Sequence, residues 1–345
     1  MRRSWQIDGG QGRVVGILIL YLAVATGVSS CSSDSSSSGS GSPPPMLVVN
    51  SLLDDATPPA GTVTLRSALE SAASSQRITF DTTLNGSTIN LIFVGEEHTV
   101  LTGEVMGFDE ANNISYLVGY FDRDYGKSAL FADKDVVIDA SALPDGITVN
   151  WDGAESARVL AVAGDLTLTN VAITGGNIAF DVAADVGQHP DDNQASSLAR
   201  GAGLAVWGVA TLTDCMVYDN HAAGDTADTS RDGGAYGGGV YADTVVIENC
   251  VISGNSVSGG GAAGGGVFSV GGRDSRVSVS SISQSSITEN RIAGLFAYGG
   301  GVYSDGGGIG FSTRIHVENS TVARNRVEPL ALPPFLFDLL DIGYW

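Results

Sequence analysis

The chain has 345 residues and a formal net charge of −21, with 17 Lys and Arg against 38 Asp and Glu. That length accommodates one large domain, or two ordinary ones once a processed segment is removed. The acidic excess argues against nucleic acid as a partner, because a phosphate backbone is held by clustered Lys and Arg, and three cysteines are too few for a disulfide framework.

The first thirty residues read as an export signal. Arg2, Arg3 and Arg13 give a positive start, residues 14–25 form an apolar run, and Val28-Ser29-Ser30-Cys31 follows. The run is too short to span a bilayer comfortably. Small residues ending in cysteine resemble the lipobox of bacterial lipoproteins, which implies residues 1–30 as a lipoprotein signal peptide and Cys31 as the lipidated first residue of the mature chain. By the same resemblance, Ser32 after that cysteine implies sorting to the outer membrane of a Gram-negative envelope. Acyl chains on Cys31 would hold the protein to a membrane surface without crossing it. Removing residues 1–30 leaves 14 basic and 37 acidic residues, a net of −23, a charge that keeps a large exported surface soluble.

Residues 31–45 are a Ser, Gly and Pro tether, flexible at first and stiffened by Pro43-Pro44-Pro45. The folded domain is predicted over 46–328, with 46–100 as its N-terminal cap region. MLVVNSL opens it as a strand. In TLRSALESAASS, Thr64 caps a short helix whose Leu65, Ala68, Leu69, Ala72 and Ala73 share one face. RITFD and STINLIFV read as strands, and residues 104–130 lack a period and read as an excursion from the main fold. From Val136 on, short β runs alternate with Gly, Asn and Asp.

A repeat dominates the remainder. Asn220, Asn255, Asn290 and Asn325 stand 35 residues apart. Three positions before them stand Val217, Ile252, Ile287 and Val322, and eight before stand Leu212, Ile247, Ile282 and Val317. Six before stand Asp214, Asn249, Gln284 and Asn319, and five before stand Cys215, Cys250, Ser285 and Ser320. Leu168, Asn170, Val171, Ile173 and Gly176 repeat the template in degenerate form. Glycine blocks at 201–203, 237–239, 264–266 and 299–301 accompany the units less regularly, so the gaps around the blocks are read as loops. Each unit offers three strands, exemplified by VY, VVIE and CVIS, and one unit cannot bury its apolar face alone. Stacking at about 4.8 Å closes a core, which predicts an all-β, parallel β-helix solenoid with a short capping helix. Asn170, Asn249 and Asn319, with the column at Asn220, Asn255, Asn290 and Asn325, are predicted to form structural asparagine ladders at tight corners, where Asn tolerates left-handed backbone.

Two stretches carry a resemblance. GTVTLRSALESAASSQRITFD (61–81) with STINL (87–91) is similar to the "CSLREA" segment that opens many bacterial right-handed parallel β-helix proteins, lacking its cysteine and with Ser67 and Ala68 at the positions of the family's Glu and Ala. The units over 201–327 resemble the repeats of chlamydial-type polymorphic outer-membrane proteins. Together they imply a right-handed β-helix of the secreted or surface type and imply no enzyme. Residues 329–345, EPLALPPFLFDLLDIGYW with its preceding Glu328, abandon the repeat, as a cap or as the start of further coils.

The candidate sites follow from this frame. GGGAAG at 259–264 satisfies the spacing of a dinucleotide fingerprint, but that motif needs a helix after it and here a strand follows; no cofactor is expected. Asp191 and Asp192, with Asp181, Asp185 and His189, lie in one acidic insertion, and Asp225, Asp228 and Asp232, with Arg231, lie in another. These are solvated loops, or candidate ligands for calcium. Tyr241, Phe268 and Tyr303 follow the apolar residue of each glycine block and point outward by strand alternation, as a stripe for a glycan or protein ligand or as a structural ladder. Cys215 and Cys250 fall one strand spacing apart as small interior residues or a strained disulfide. The expected function is a non-catalytic, lipid-anchored cell-envelope protein for adhesion or other surface interaction, with a membrane and a glycan or host cell-surface protein as partners. The alternative is an extracellular carbohydrate-active enzyme of the polysaccharide lyase or glycoside hydrolase type, acting through the acidic loops.

Overall fold

A computed structural model describes residues 46–95, 100–109, 114–124, 126–179, 199–224, 234–271, 277–305 and 312–329. Cys31, the export signal, the tether and residues 330–345 lie outside the described residues, as do all the aspartates of the two acidic insertions. Strands dominate, in three parallel sheets of twelve, seven and seven strands and one antiparallel pair. The all-β expectation holds, with one α-helix among the described residues.

The repeat unit visits the three sheets in turn. Val240–Glu248 lies in the first, Val251–Ser253 in the second and Ser256–Ala263 in the third, after which Val267–Ser269 returns to the first. Successive units pair in parallel at the predicted offset, so Leu212 faces Ile247, Ile247 faces Ile282 and Ile282 faces Val317. Val217, Ile252, Ile287 and Val322 align likewise in the second sheet. One assignment changes: VY and VVIE, predicted as separate strands, form one continuous strand over Val240–Glu248. The third strand instead follows the asparagine, inside a stretch read as loop. Its sequence, SVSGGGAA, is too poor in large apolar residues to signal a strand, because it faces a small alanine-lined cluster.

The interior divides accordingly. A main cluster holds Leu168, Leu212, Ile247 and Ile282 with Ile173, Val217, Ile252 and Ile287. A second holds Ile178, Ala199, Ala202, Ala222, Ala235, Val257, Ala262 and Ile292. Along the chain the boundary falls at the same two places in each unit: at the asparagine, between Val217 and Ala222, and at the last glycine of each block, between Ala202 and Leu204. These boundaries face each other. A Cβ on Gly239 would lie 2.9 Å from Asn255 Nδ2 and 2.7 Å from Gly266 O, and one on Gly266 would lie 2.9 Å from Asn290 Nδ2. Only glycine lets the backbone close on the asparagine column.

At the N-terminal end the predicted helix spans Leu65–Ser71, with Thr64 as N-cap. The Thr64 hydroxyl accepts from Ser67 N at 3.1 Å, and Ser67 Oγ accepts from Thr64 N at 3.0 Å, a reciprocal box that satisfies two otherwise orphaned donors. Leu65, Ala68, Leu69 and Ala72 are buried as expected. Ala73 is exposed, because the helix ends at Ser71 and its face does not extend that far. Burying Leu65 and Leu69 contributes about 1.5–3 kcal/mol each. The helix also carries Arg66 inward, where its guanidinium grips Asp54 at 2.6 and 3.0 Å and donates to Ala129 O and Phe93 O at 2.6 and 2.7 Å. Asp54 Oδ2 in turn accepts from Ile92 N and Phe93 N at 2.7 and 2.9 Å. Full hydrogen bonding is the condition under which a buried ion pair is tolerated, and here it ties the helix to three other segments.

Two further expectations are refined. The strand predicted through STINLIFV stops at Leu91, and Ile92 and Phe93 are exposed. The excursion contains an antiparallel hairpin, Val100–Asp109 with Ile114–Asp124, whose register shifts between Val105 and Met106. Ser128–Ala132, at the excursion's end, already belongs to the first sheet through its pairing with Arg158–Val162.

Candidate functional site

The asparagine column at 220, 255, 290 and 325 is a ladder built by the amide's double capacity. Asn255 Oδ1 accepts from Asn220 N at 3.1 Å and from Asn220 Nδ2 at 3.0 Å, while Asn255 Nδ2 donates to Val217 O at 2.9 Å and to Asn290 Oδ1 at 3.0 Å. Asn290 repeats the pattern toward Asn325 and Ile252 O, and Asn220 Oδ1 accepts from Gly176 N. Asn220, Asn255 and Asn290 are fully buried, so these side chains are spent on the scaffold.

The other column works through backbone conformation. Asn170, Asp214, Asn249, Gln284 and Asn319 all have φ between 48° and 56°, the left-handed region that short polar side chains tolerate. Within it, Asn249 Nδ2 reaches Asp214 Oδ1 at 2.5 Å, and Asn170 Nδ2 turns instead to Leu143 O at 2.6 Å. The predicted side-chain ladder is therefore fully developed only at the 220 column.

Tyr241, Phe268 and Tyr303 pair in register and turn away from the main cluster. They are not left open. Tyr241 and Phe268 are 3% and 5% exposed, and Tyr303 is half-buried. Tyr241 stacks on Phe268 with centroids 5.6 Å apart and planes within 5°. Trp207 packs beside Tyr241 at 6.4 Å, Tyr236 beside Phe268 at 4.9 Å and Tyr298 beside Tyr303 at 5.6 Å. Arg200 lies over the Tyr241 ring at 5.1 Å and donates from Nη1 to its hydroxyl at 3.0 Å. Arg158, fully buried, lies 6.0 Å over Trp207 and donates to Ser128 Oγ and Arg200 O. The flanking rings were not predicted, yet the sequence holds their signal: Tyr236 and Tyr298 each stand five residues before a ring of the stripe, across a GGGV turn whose first glycine has φ near 65°.

Cys215 and Cys250 are free and buried. Their column is a ladder of acceptors: Cys250 Sγ accepts from Cys215 N at 3.3 Å, Ser285 Oγ from Cys250 N at 3.0 Å and Ser320 Oγ from Ser285 N at 3.0 Å. The neighbouring Cys215 thiol first, and burial second, push the Cys250 thiol far above its ordinary value, so it stays protonated and unreactive.

The acidic loops are placed by their flanks. Ile178 pairs with Ala222 and Ala179 with Ala223 where the loops leave the third sheet; Ala199 pairs with Ala235 where they return. Loops 180–198 and 225–233 thus start and end on neighbouring strands. Just before the second loop, His221 Nδ1 lies 2.8 Å from Ser256 Oγ, and burial holds its pKa below the usual histidine range. Among the described residues, no group of three or more His, Cys, Asp or Glu is arranged to hold a metal ion. Nor is any helix there long and apolar enough to cross a membrane.

Comparison of the chain with protein-family models, with curated proteins and with solved structures gave no match.

Proposed function

We propose that the protein is a non-catalytic cell-envelope lipoprotein, anchored through Cys31 and built on a right-handed parallel β-helix that displays loops for adhesion or other surface contact. The cyclic order of the three sheets, unit after unit, supports the helix, and the right hand follows from the strong preference of parallel crossovers. One observation carries the functional reading. Of the in-register candidates, Asn220, Asn255, Asn290, Cys215, Cys250, Tyr241 and Phe268 are buried in the scaffold, whereas paired strands bring the bases of loops 180–198 and 225–233 together. Those loops contain seven aspartates and one arginine, a sequence unlike the repeat that carries them. A solenoid whose body is uniform and whose loops are not presents its specificity in the loops.

The same juxtaposition favours a second reading, an extracellular carbohydrate-active enzyme using those aspartates, with calcium as a candidate ligand. Incubating the protein with a panel of acidic polysaccharides, with and without calcium, separates the two. Binding without cleavage, abolished when 183–195 is replaced by a Gly/Ser linker, supports the display reading, and reproducible cleavage replaces it with the enzyme. Anchoring is tested separately by fractionating cells that express Cys31→Ala: retention in the membrane fraction would remove the lipid anchor from the account.

A further inference from the structure

The two ends of the described sheets differ. At the N-terminal end a helix packs across the first strands, whereas the last described unit leaves its core columns open. Leu212, Ile247 and Ile282 are at most 1% exposed, but Val317, next in the same column, is 44% exposed. Val217, Ile252 and Ile287 lead to Val322 at 49%, and Ala222, Val257 and Ile292 lead to Val327 at 52%. Between these columns lies a recess of about 500 Å³ lined by Val302, Ile315, Val317 and Val322, with Asn325 at its edge.

The same end presents donors. In earlier units the amide of each turn residue bonds to the following unit: Asn249 N to Ser283 O and Gln284 N to Glu318 O, Gly254 N to Thr288 O and Glu289 N to Ala323 O. Cys250 N and Ser285 N give to the next side chain of their column, as do Asn255 N and Asn290 N. For Asn319, Ser320, Arg324 and Asn325, no following unit is among the described residues. An end with these groups bare would cost the desolvation of each donor it buried and would offer a template for edge-to-edge pairing.

We propose that residues 330–345 of this chain cover that face. They continue directly from Arg326–Pro329, the last strand of the third sheet, so the occupant is delivered to the site at high effective concentration. Their sequence, LALPPFLFDLLDIGYW, supplies the two things the face lacks: apolar bulk in Leu332, Phe335, Leu336 and Phe337, and backbone carbonyls to accept from the four donors. Pro333 and Pro334 carry carbonyls but no N–H, so a segment laid on the edge accepts bonds without extending the sheet to another chain. This inference rests on the described sheets and is independent of the proposed function.

The test uses the full mature chain and the variant F335D/L336D/L340D, followed by amide hydrogen exchange and light scattering. In the parent, the amides of Asn319, Ser320, Arg324 and Asn325 exchange at least about tenfold more slowly than in the variant, and the parent is a monomer with Tm higher by about 5 °C or more. The amides of Asn220 and Asn255, deep in the stack, report that both proteins are folded. Equal exchange at the four amides in parent and variant overturns the proposal, as does protection that disappears on dilution together with a dimer, which would make a second copy the occupant.

Discussion

Replacing Asn255 with Ala probes the ladder most sharply, because the consequences can be traced bond by bond. Truncation removes the only acceptor shown for Asn220 N and the Nδ2 that donates to Val217 O. It leaves Asn220 Nδ2 its bonds to Ile173 O and Tyr218 O, and Asn290 Oδ1 its bond from Asn255 N. One fully buried donor, Asn220 N, is therefore orphaned, while Val217 O keeps its place in the ladder opposite Ile252, for a loss of about 1–3 kcal/mol against a typical total of about 5–15 kcal/mol. Asn249→Ala is the control, since that side chain is exposed and the loss is chiefly the strain of Ala at φ 51°, about 1 kcal/mol. Urea denaturation followed by circular dichroism gives both values, provided the slope is unchanged. Asn255→Asp adds a signature of its own. A carboxylate there faces Val217 O and Asn290 Oδ1 and has no donor to offer, so its folded-state pKa is raised. That variant should be most stable below about pH 3.9, the unfolded value, and weaken as pH rises through the folded one. A loss below about 1 kcal/mol for Asn255→Ala, or one no larger than for Asn249→Ala, would refute the reasoning.

Four further outcomes follow from the same geometry. Gly239→Ala pushes a methyl into Asn255 Nδ2 and Gly266 O and should lower stability by about 1–3 kcal/mol, read as a fall in Tm. Tyr241→Ala opens the aromatic cluster and should cost about 3–5 kcal/mol, whereas Tyr241→Phe keeps the ring and forfeits the bond to Arg200, about 1 kcal/mol; similar losses for the two would exclude a packing role for the ring. Cys250→Ser places at 250 the hydroxyl that Ser285 and Ser320 already supply in that column, so the urea midpoint should barely move, and a thiol reagent should label neither Cys215 nor Cys250 of the parent until it unfolds. Burial lowers the folded-state pKa of His221, so its contribution is full above about pH 6.5, the unfolded value, and is lost as pH falls through the folded one. His221→Gln should flatten the fall of stability with acid, and an unaltered slope would assign that fall to other groups.

The repeat was legible because its core columns combine a fixed spacing with one residue type each. Leu212, Ile247 and Ile282, or Asn220, Asn255 and Asn290, announce themselves. The capping helix was legible for the same reason, through Thr64 and the face of Leu65, Ala68 and Leu69. Features the sequence does not announce lack one of the two properties. A second left-handed column, Asp219, Gly254, Glu289 and Arg324, keeps the spacing but mixes residue types, because its side chains face solvent and only its backbone is constrained. The third sheet is hidden by glycine and alanine, whose small size is what lets the second cluster exist. The Arg66–Asp54 pair joins residues twelve apart with no periodic cue and depends on where Ile92, Phe93 and Ala129 come to lie. The aromatic stripe is visible in the sequence, but its burial depends on Trp207, Tyr236 and Tyr298 packing beside it, a tertiary event that strand alternation does not encode.

The central claim, that each 35-residue unit lies on the one before it in parallel register, is tested most directly by distances between spin labels. In a Cys215→Ser/Cys250→Ser background, labels are placed in pairs at Met216, Val251, Ser286 and Thr321, which succeed one another along the second sheet. The account predicts Cα separations from position 216 that grow by one strand spacing per unit, about 4.8, 9.6 and 14.4 Å. A 216–251 separation beyond about 10 Å, or separations that do not grow in equal steps of about one strand spacing, would contradict it.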